Sequence, residues 1–227
     1  MKRVAVTTSA DRAQAAAMPF TFLGLQTVLL PCIGVESSAE PELEAVRAIA
    51  LLTDLLVVSS KRTIDILWPE GPLPAVDFAV VGAATARAVQ ARGGRAAMIG
   101  TGGSAQLVEM LAPHVTGRSV AWPHGRGADP RPLQQLAGHA REFSAPIIYT
   151  SVPLAPPSDP VDVITFASPS AVSGWQLSRP LDKPVAAIGE STRLAVNRTG
   201  TSATIVAEAP TFQSLAEAVA KHLGVAA

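Results

Sequence analysis

The sequence repeats three short motifs at almost one spacing, and this repeat constrains the fold more than any other feature. Thr85 of VVGAATARAV and Thr192 of its near copy AAIGESTRLAV lie 107 positions apart. Two further motif pairs lie 108 positions apart, Ser60 with Ser168 and Leu107 with Leu215. Segments of any α/β protein share some likeness, but three ordered motifs at nearly one offset favour two similar domains.

Short apolar β-type runs alternate with helical patterns along the chain. The runs cover residues 4–8, 27–35, 55–60, 78–82, 96–100, 119–122, 146–152, 163–168, 185–189 and 203–207. Patterns typical of helices, such as ATARAVQARGG and FQSLAEAVAKHLG, lie between most of them. This alternation indicates parallel α/β layering. We therefore predict two similar parallel-sheet α/β domains of the flavodoxin-like type.

The N-terminal strand–helix–strand unit, which ends in TVLLP, has an echo in SVAW–helix–PIIYT. If each echo ends in a strand that leaves one domain for the other, the chain crosses near 31–36 and near 148–156. This predicts a discontinuous domain of residues 1–33 plus 154–227 and a second domain of residues 34–153. Several prolines between 153 and 160 fit the second crossing.

Charge and cysteine content exclude several classes of function. The 18 basic side chains balance the 18 acidic ones, so no global positive field exists to attract nucleic acid. Cys32 is the single cysteine, which rules out an internal disulfide and a Cys-based zinc cage. The four histidines show no ligand spacing, and we expect no metal site.

No apolar run approaches the roughly 20 residues of a spanning helix, and no signal-peptide core is evident. We expect a cytoplasmic protein without membrane contact.

Four turns after predicted strands place hydroxyl groups at the starts of helices. They are Ser59-Ser60, Gly82 to Thr85, Ser168-Pro169-Ser170, and Gly189 to Thr192 with Ser191 between. Ligands of open α/β sheets bind at the carboxyl ends of strands, and backbone N–H groups of helix starts attract anions. A hydroxyl in such a turn is often only a helix N-cap. As two related pairs, however, the four turns predict an anionic ligand in a cleft between the domains.

Two more residues are candidates for this cleft. Tyr149 is the only tyrosine and lies on the predicted crossing strand; it either packs with its hydroxyl at the rim or donates a proton in the cleft. Arg126 follows Trp122-Pro123-His124-Gly125 in a predicted loop and is either a carboxylate ligand or a solvated surface residue. No P-loop, Rossmann or GxSxG motif occurs, so those three classes lose their usual support.

The motifs, in their order and spacing, resemble the uroporphyrinogen-III synthase family over nearly the whole chain. The matching segments are VVSSKRTIDIL, VVGAATARAVQARG, SAQLVEML, IIYTSV, VITFASPSAV, AAIGESTRLAV and AEAPTFQSLAEAV. The resemblance implies two α/β domains joined by a two-strand connector, with the active site in the cleft. It implies a lyase that cyclises hydroxymethylbilane, a linear tetrapyrrole with eight carboxylates, to uroporphyrinogen III in haem, sirohaem and cobalamin synthesis. Water is lost, and ring D is inverted through a spiro intermediate.

The resemblance also implies roles for particular residues. Tyr149 matches the family tyrosine that assists departure of the substrate hydroxyl. Six residues match family positions in the cleft: Ser59, Ser60, Thr85, Ser168, Ser191 and Thr192. Together with Gly82, Ser170 and Gly189 from the turns and Arg126 from the loop, they are the predicted substrate-binding residues. Family members need neither a metal nor an organic cofactor. A monomer is expected, and hand-over of substrate from hydroxymethylbilane synthase is a further prediction about partners.

The sequence departs from the family pattern in three places. Thr7-Thr8-Ser9 stands where a Thr-Arg-Pro-like turn is common, and Ser59-Ser60-Lys61 replaces the more usual Thr-Ser-Pro. Asp129, flanked by Arg126 and Arg131, falls near the place where an arginine often opens a helix. These changes leave open which cations contact the substrate.

Two other functions remain alternatives at this point. One is a non-catalytic, two-domain regulatory module that binds a tetrapyrrole or another anion. The other is a flavodoxin-like electron carrier, for which three tryptophans and one tyrosine offer little to stack a flavin. An enzyme would raise the type III isomer over the spontaneous type I product, whereas a binding module would leave the ratio unchanged.

Overall fold

The computed structural model describes residues 2–225, and the chain divides into two compact units. Unit 1 comprises Met1–Val35 with Ser151–Ala227, and unit 2 comprises Glu36–Thr150. The strands are β1 (Arg3–Val6), β2 (Gln26–Leu29), β3 (Ile33–Ser37), β4 (Leu55–Val58), β5 (Asp77–Val81), β6 (Arg95–Gly100), β7 (Ser119–Ala121), β8 (His124–Gly125), β9 (Glu142–Ser144), β10 (Ile147–Pro153), β11 (Val163–Phe166), β12 (Val185–Ala187) and β13 (Ile205–Val206). The α-helices are α1 (Ala10–Phe22), α2 (Glu40–Leu51), α3 (Lys61–Leu67), α4 (Ala83–Gln90), α5 (Gly103–Leu111), α6 (Pro130–Ala137), α7 (Pro169–Gln176), α8 (Glu190–Asn197) and α9 (Phe212–His222).

The sheet of unit 1 is parallel, with strand order β13-β12-β11-β1-β2. Neighbouring residues of its strands point to opposite faces, and each face carries its own core. Val4 packs in the core that holds Phe20 of α1 and Leu215 of α9. Ala5 packs in the core that holds Trp175 of α7 and Val196 of α8. The central strands are apolar on both sides because helices cover both faces.

The sheet of unit 2 is also parallel, with strand order β6-β5-β4-β7-β9. One face packs against α3 and α4, through Ile64 and Val89 among others. The opposite face packs against α5 and α6, through Leu107 and Leu136. Unit 2 therefore repeats the layering of unit 1, and the predicted fold class is confirmed.

The two sheets are permuted versions of one arrangement. Taken along each sheet, β13, β12, β11, β1 and β2 correspond to β6, β5, β4, β7 and β9. In each sheet the direction of chain progress reverses once, between β11 and β1 in unit 1 and between β4 and β7 in unit 2. We call these two places the switch points. Since the strands are parallel, the turns after their carboxyl ends lie along one edge of each sheet.

A third, three-stranded sheet has the order β3-β10-β8. The run 27–35 thus forms two strands, β2 and β3, separated near Cys32, whose N–H donates to the carbonyl oxygen of Thr7. The prediction that PIIYT corresponds to TVLLP was wrong. In the sheet of unit 2, β9 and not β10 takes the place that β2 takes in the sheet of unit 1. Sequence reasoning missed β9 since Glu142–Ser144 contains no β-type apolar run. Within residues 2–225, no helix is both long enough and apolar enough to cross a bilayer.

Asp54 fastens the start of β4 to the start of β7. Its carboxylate accepts hydrogen bonds from the N–H and the hydroxyl of Ser119, at 2.7 Å and 2.9 Å. These bonds, the one from the Ser119 N–H foremost, hold the pKa of Asp54 below its ordinary value. A carboxylate with a lowered folded-state pKa stabilises the fold above its unfolded-state pKa, and this contribution is lost as pH falls through the folded-state pKa.

We therefore expect Asp54→Asn to flatten the acid dependence of stability. Between pH 5 and pH 3, which brackets the ordinary aspartate pKa of about 4, the urea midpoint of the wild type should fall more steeply than that of the variant. Asp65→Asn serves as the matched control, because Asp65 pairs only with Lys61 on an exposed helix face among the described contacts. Equal slopes for wild type and Asp54→Asn would contradict the assignment.

Candidate functional site

The switch points concentrate polar side chains at the carboxyl edges of the two sheets. In unit 1, Thr7–Ser9 follows β1 and Ser168–Ser170 follows β11. In unit 2, Ser59-Ser60 follows β4 and the segment 122–126 follows β7. Open α/β sheets bind ligands at such reversals of strand order. Sequence reasoning did not place the turn after β1 in the site, because the neighbour of β1 in the sheet lies about 160 residues away in the chain.

Thr7 shows what that turn does in the structure. Its hydroxyl donates to the carbonyl oxygen of Thr165 at 2.6 Å. The hydroxyl of Thr165 in turn donates to the carbonyl oxygen of Ala5, also at 2.6 Å. Both threonines are buried. The two hydroxyls therefore fasten β1 to β11 directly below the switch point and are occupied by the backbone.

Two of the predicted hydroxyl turns are helix caps. Ser60 is the N-cap of α3 and accepts from the N–H of Arg62 at 3.3 Å. Ser168 is the N-cap of α7, accepts from the N–H of Ala171 at 3.4 Å, and shares a 3.0 Å hydrogen bond with the hydroxyl of Ser170. The capping interpretation is confirmed for Ser60 and Ser168.

The capping interpretation is wrong for Thr85 and Thr192. The N-caps of α4 and α8 are Gly82 and Gly189, and neither helix start has a side-chain cap. Each threonine is instead the third residue of its helix, beyond the cap position, and is almost fully buried. No described residue forms a hydrogen bond with either hydroxyl. A first turn with uncapped N–H groups and an unused hydroxyl beside them is well suited to an anion.

Gly82 has a backbone requirement that explains its residue type. Its φ angle is 80°, in the region that side chains with a Cβ rarely adopt, so glycine is needed for the strand-to-helix turn. Gly189 is extended and carries no such requirement. Ser191 is exposed as the second residue of α8, and Ser59 is half-buried after β4.

Charged residues near these turns are mostly paired. Glu190, the first residue of α8, forms two hydrogen bonds with the guanidinium of Arg193, at 2.7 Å and 2.6 Å, and these lower its pKa. Asp129 caps α6 and pairs with the guanidinium of Arg131, which lowers the pKa of the carboxyl. Arg131 is thus held by its neighbour. Arg126 is exposed and donates only one described side-chain bond, to the Thr150 hydroxyl at 3.3 Å.

Tyr149 lies on β10 and is half-buried against a small apolar cluster that includes Ile148. The guanidinium carbon of Arg62 lies 5.4 Å from the centre of its ring, a cation–π distance. The backbone carbonyl oxygen of Tyr149 accepts a hydrogen bond from the N–H of Arg126 at 2.9 Å. No described residue forms a hydrogen bond with its hydroxyl. The ring is therefore packed, as one interpretation held, while the hydroxyl stays available as a donor, as the other requires.

In each unit, several of the predicted site residues lie close together at the carboxyl ends of neighbouring strands. In unit 2, Arg62 links the capped turn at Ser60 to the ring of Tyr149, and the backbone of Arg126 joins the same strand. Thr85 lies one strand further along the edge, after β5. In unit 1, Ser168 and Thr192 follow the adjacent strands β11 and β12. Within residues 2–225, no group of three or more His, Cys, Asp or Glu side chains is placed to hold a metal ion.

Comparison with known proteins adds a family and a fold. The family model described as uroporphyrinogen-III synthase HemD matches residues 15–217. Among solved structures, a mutant uroporphyrinogen III synthase of the extremely thermophilic bacterium Thermus thermophilus is 21% identical with a TM-score of 0.54, the alignment covering 99% of each chain. Uroporphyrinogen-III synthetase from Helicobacter pylori is 15% identical with a TM-score of 0.63, over 98% of this chain and 99% of that one. No curated protein sequence matches. At these identities the structures show a shared fold.

Proposed function

Because the chain belongs to the uroporphyrinogen-III synthase family, we propose that it is a cyclising hydro-lyase that converts hydroxymethylbilane into uroporphyrinogen III. The observation that carries this proposal is the family match, which spans both units. The edges of the two sheets support it, since they offer hydroxyl groups and uncapped helix starts. Such groups suit a substrate with eight carboxylates.

Carboxylate binding is assigned to groups that the protein does not use for itself. Thr85 and Thr192 have unused hydroxyls beside free N–H donors, and the Arg126 guanidinium has most of its donors available. Ser59 and Ser191 extend the same edges. Charge-assisted hydrogen bonds of this kind are among the stronger polar interactions in proteins.

Tyr149 is assigned to the departure of the hydroxyl. Its phenolic O–H would donate a proton as the C–O bond of the substrate breaks, so that the hydroxyl leaves as water and the pyrrole nitrogen supplies the electrons. The substituted α-carbon of ring D would then attack the resulting azafulvene and give the spiro intermediate. The bond from that carbon to the neighbouring methylene bridge breaks, the bridge rejoins ring D at its free α-carbon, and the proton lost from this carbon balances the one that Tyr149 gave. The remaining task of the protein is to restrain the two chain ends in a reactive geometry.

The deciding experiment measures which isomer forms. Freshly made hydroxymethylbilane is incubated with and without the protein, the products are oxidised, and the type I and type III porphyrins are separated. The proposal expects rapid formation of type III at the expense of the spontaneous type I product. An unchanged isomer ratio, with ligand binding retained, would instead identify a non-catalytic tetrapyrrole-binding module.

Thr85→Ala and Thr192→Ala should weaken substrate binding without affecting the fold. Loss of a hydrogen bond to a charged group costs about 1.5–3 kcal/mol, so each variant should raise KM by about tenfold or more. Their melting temperatures should fall by no more than those of cap variants, because neither threonine caps its helix and each truncation removes one buried methyl group. Ser60→Ala and Ser168→Ala are the contrast, since loss of a cap costs about 1 kcal/mol. A marked fall in melting temperature with unchanged KM for the threonine variants would contradict the assignment.

The proposal has four further parts. The protein acts as a monomer in the cytoplasm, needs no added cofactor, and receives its unstable substrate from hydroxymethylbilane synthase. Sedimentation at assay concentration tests the first part. A coupled assay that compares synthase-generated substrate with free substrate tests the last.

A further inference from the structure

Gly125 makes an unusually close approach to the ring of Tyr149. The two residues are partners in the parallel pairing of β8 and β10. A Cβ atom added to Gly125 would lie 2.5 Å from both Cε2 and Cζ of the ring and 2.9 Å from the hydroxyl oxygen. Real Cβ atoms are essentially never found within 3.0 Å of such neighbours. The contact involves the end of the ring that carries the hydroxyl.

The backbone of Gly125 does not itself require glycine. Its φ angle is not among the positive values that favour this residue type, unlike that of Gly82. It is therefore the surroundings of Gly125, and not its backbone conformation, that require a glycine. The ring of Tyr149 occupies the space that any other residue would fill.

Gly125 is also held so that it cannot easily retreat from the ring. The imidazole Nδ1 of His124 lies 2.8 Å from the carbonyl oxygen of Gly125, and Nε2 lies 3.2 Å from that of Ala145. The N–H of His124 donates to the carbonyl oxygen of Pro146 at 3.0 Å, and that of Arg126 to Tyr149 at 2.9 Å. An added methyl group would therefore displace the phenol ring rather than the backbone.

We propose that Gly125 is a positioning residue, whose absent side chain sets where the Tyr149 hydroxyl lies. This inference rests on the proposed function for its effect on activity, because Tyr149 is the assigned proton donor. The contact itself is independent of that assignment. His124 contributes by fixing the glycine, and the guanidinium of Arg62 borders the same ring.

The test compares Gly125→Ala with Gly127→Ala. Gly127 lies two residues further in the same segment, has nothing within 4 Å of an added Cβ, and is not in the positive φ region. Since Tyr149 is the only tyrosine, protein labelled with 3-fluorotyrosine gives a fluorine NMR signal from this site alone. We expect Gly125→Ala to shift that resonance and Gly127→Ala to leave it in place. An unmoved resonance in Gly125→Ala would overturn the proposal.

Kinetics then test the consequence. A displacement of about 1 Å can cost up to about 10²-fold in rate, so Gly125→Ala should lower kcat by about tenfold or more with little change in KM. In a Tyr149→Phe background the same substitution should lower kcat hardly further, because the hydroxyl is already absent. Fully additive losses would show that Gly125 does not act through that hydroxyl. If the wild type itself leaves the isomer ratio unchanged, the proposed function fails, while the fluorine signal still decides the contact.

A second background keeps the proposal testable if Gly125→Ala folds poorly. Tyr149→Leu removes the ring, so Gly125→Ala should reduce the melting temperature much less in that background than in Tyr149→Phe, which keeps the ring. An equal reduction in the two backgrounds would mean that the glycine serves a neighbour other than Tyr149.

Discussion

Replacement of Gly174 by alanine is expected to lower the melting temperature of the protein by roughly 4–12 °C. A Cβ atom at this position of α7 would overlap the carbonyl oxygen of Cys32 and lie 2.8 Å from that of Leu154. Both are backbone oxygens, so no side chain can rotate out of the way, and the Cys32 oxygen is also held by a hydrogen bond from the Leu154 N–H. Overpacking of this kind costs about 3 kcal/mol, and each kcal/mol shifts the melting temperature of a chain of this size by about 2–4 °C.

Gly138→Ala is the matched control for this experiment. Gly138 follows the last residue of α6 at a φ of −69°, and the nearest atom to an added Cβ is the carbonyl oxygen of Gln135 at 3.5 Å, an ordinary contact. Alanine has a higher helix propensity than glycine, by up to about 1 kcal/mol. At Gly174 this gain opposes the loss from overpacking and is smaller than it. Calorimetry should show a loss for Gly174→Ala and little change for Gly138→Ala. Equal melting temperatures for the two variants would show that α7 can move away from Cys32.

The second large effect concerns turnover. Tyr149→Phe should lower kcat for type III formation by about tenfold to 10²-fold, near or below the low end of the range for proton donation by a side chain. The loss is modest because the substrate also loses its hydroxyl without a catalyst. Initial rates with freshly made hydroxymethylbilane give the measurement.

The fold should be unaffected by this change, because phenylalanine keeps the ring that packs beside Ile148 and Arg62. An unchanged melting temperature together with wild-type rates would make Tyr149 a structural residue. A lowered melting temperature would instead indicate that the hydroxyl contributes to stability.

The repeat in the sequence predicted much of the fold, because local rules govern the segments that repeat. VVGAATARAV forms the end of β5, Gly82 and α4, and AAIGESTRLAV forms β12, Gly189 and α8. Apolar runs and helix-starting turns are short-range signals, and they fixed these elements to within a few residues. The paired positions Leu107 and Leu215 are both fully buried in helices.

The site was less accessible to sequence reasoning for a physical reason. The hydrogen bond from the Thr7 hydroxyl to the carbonyl oxygen of Thr165 joins residues 158 positions apart, and no local sequence pattern indicates it. The strand of His124 and Gly125 has two residues, too few to show any periodicity. The expectation that the four hydroxyl turns bind an anion in a cleft between the domains stays a prediction. The interpretation of Thr85 and Thr192 as helix caps rested on a local pattern, yet it was wrong because glycine occupies the cap position in both helices.

The permuted order of the two sheets has a consequence for synthesis on the ribosome. Unit 2 is one continuous segment, Glu36–Thr150, and can complete its sheet as soon as β9 has emerged. The first strand pair of unit 1, β1 with β2, must wait for β11, β12 and β13, the last of which ends at Val206. At about 5–20 residues per second, that delay lasts roughly ten to thirty seconds. Until β11 has emerged, β1 has no strand partner from the C-terminal part of its unit, which makes this nascent segment the natural place for a chaperone to bind.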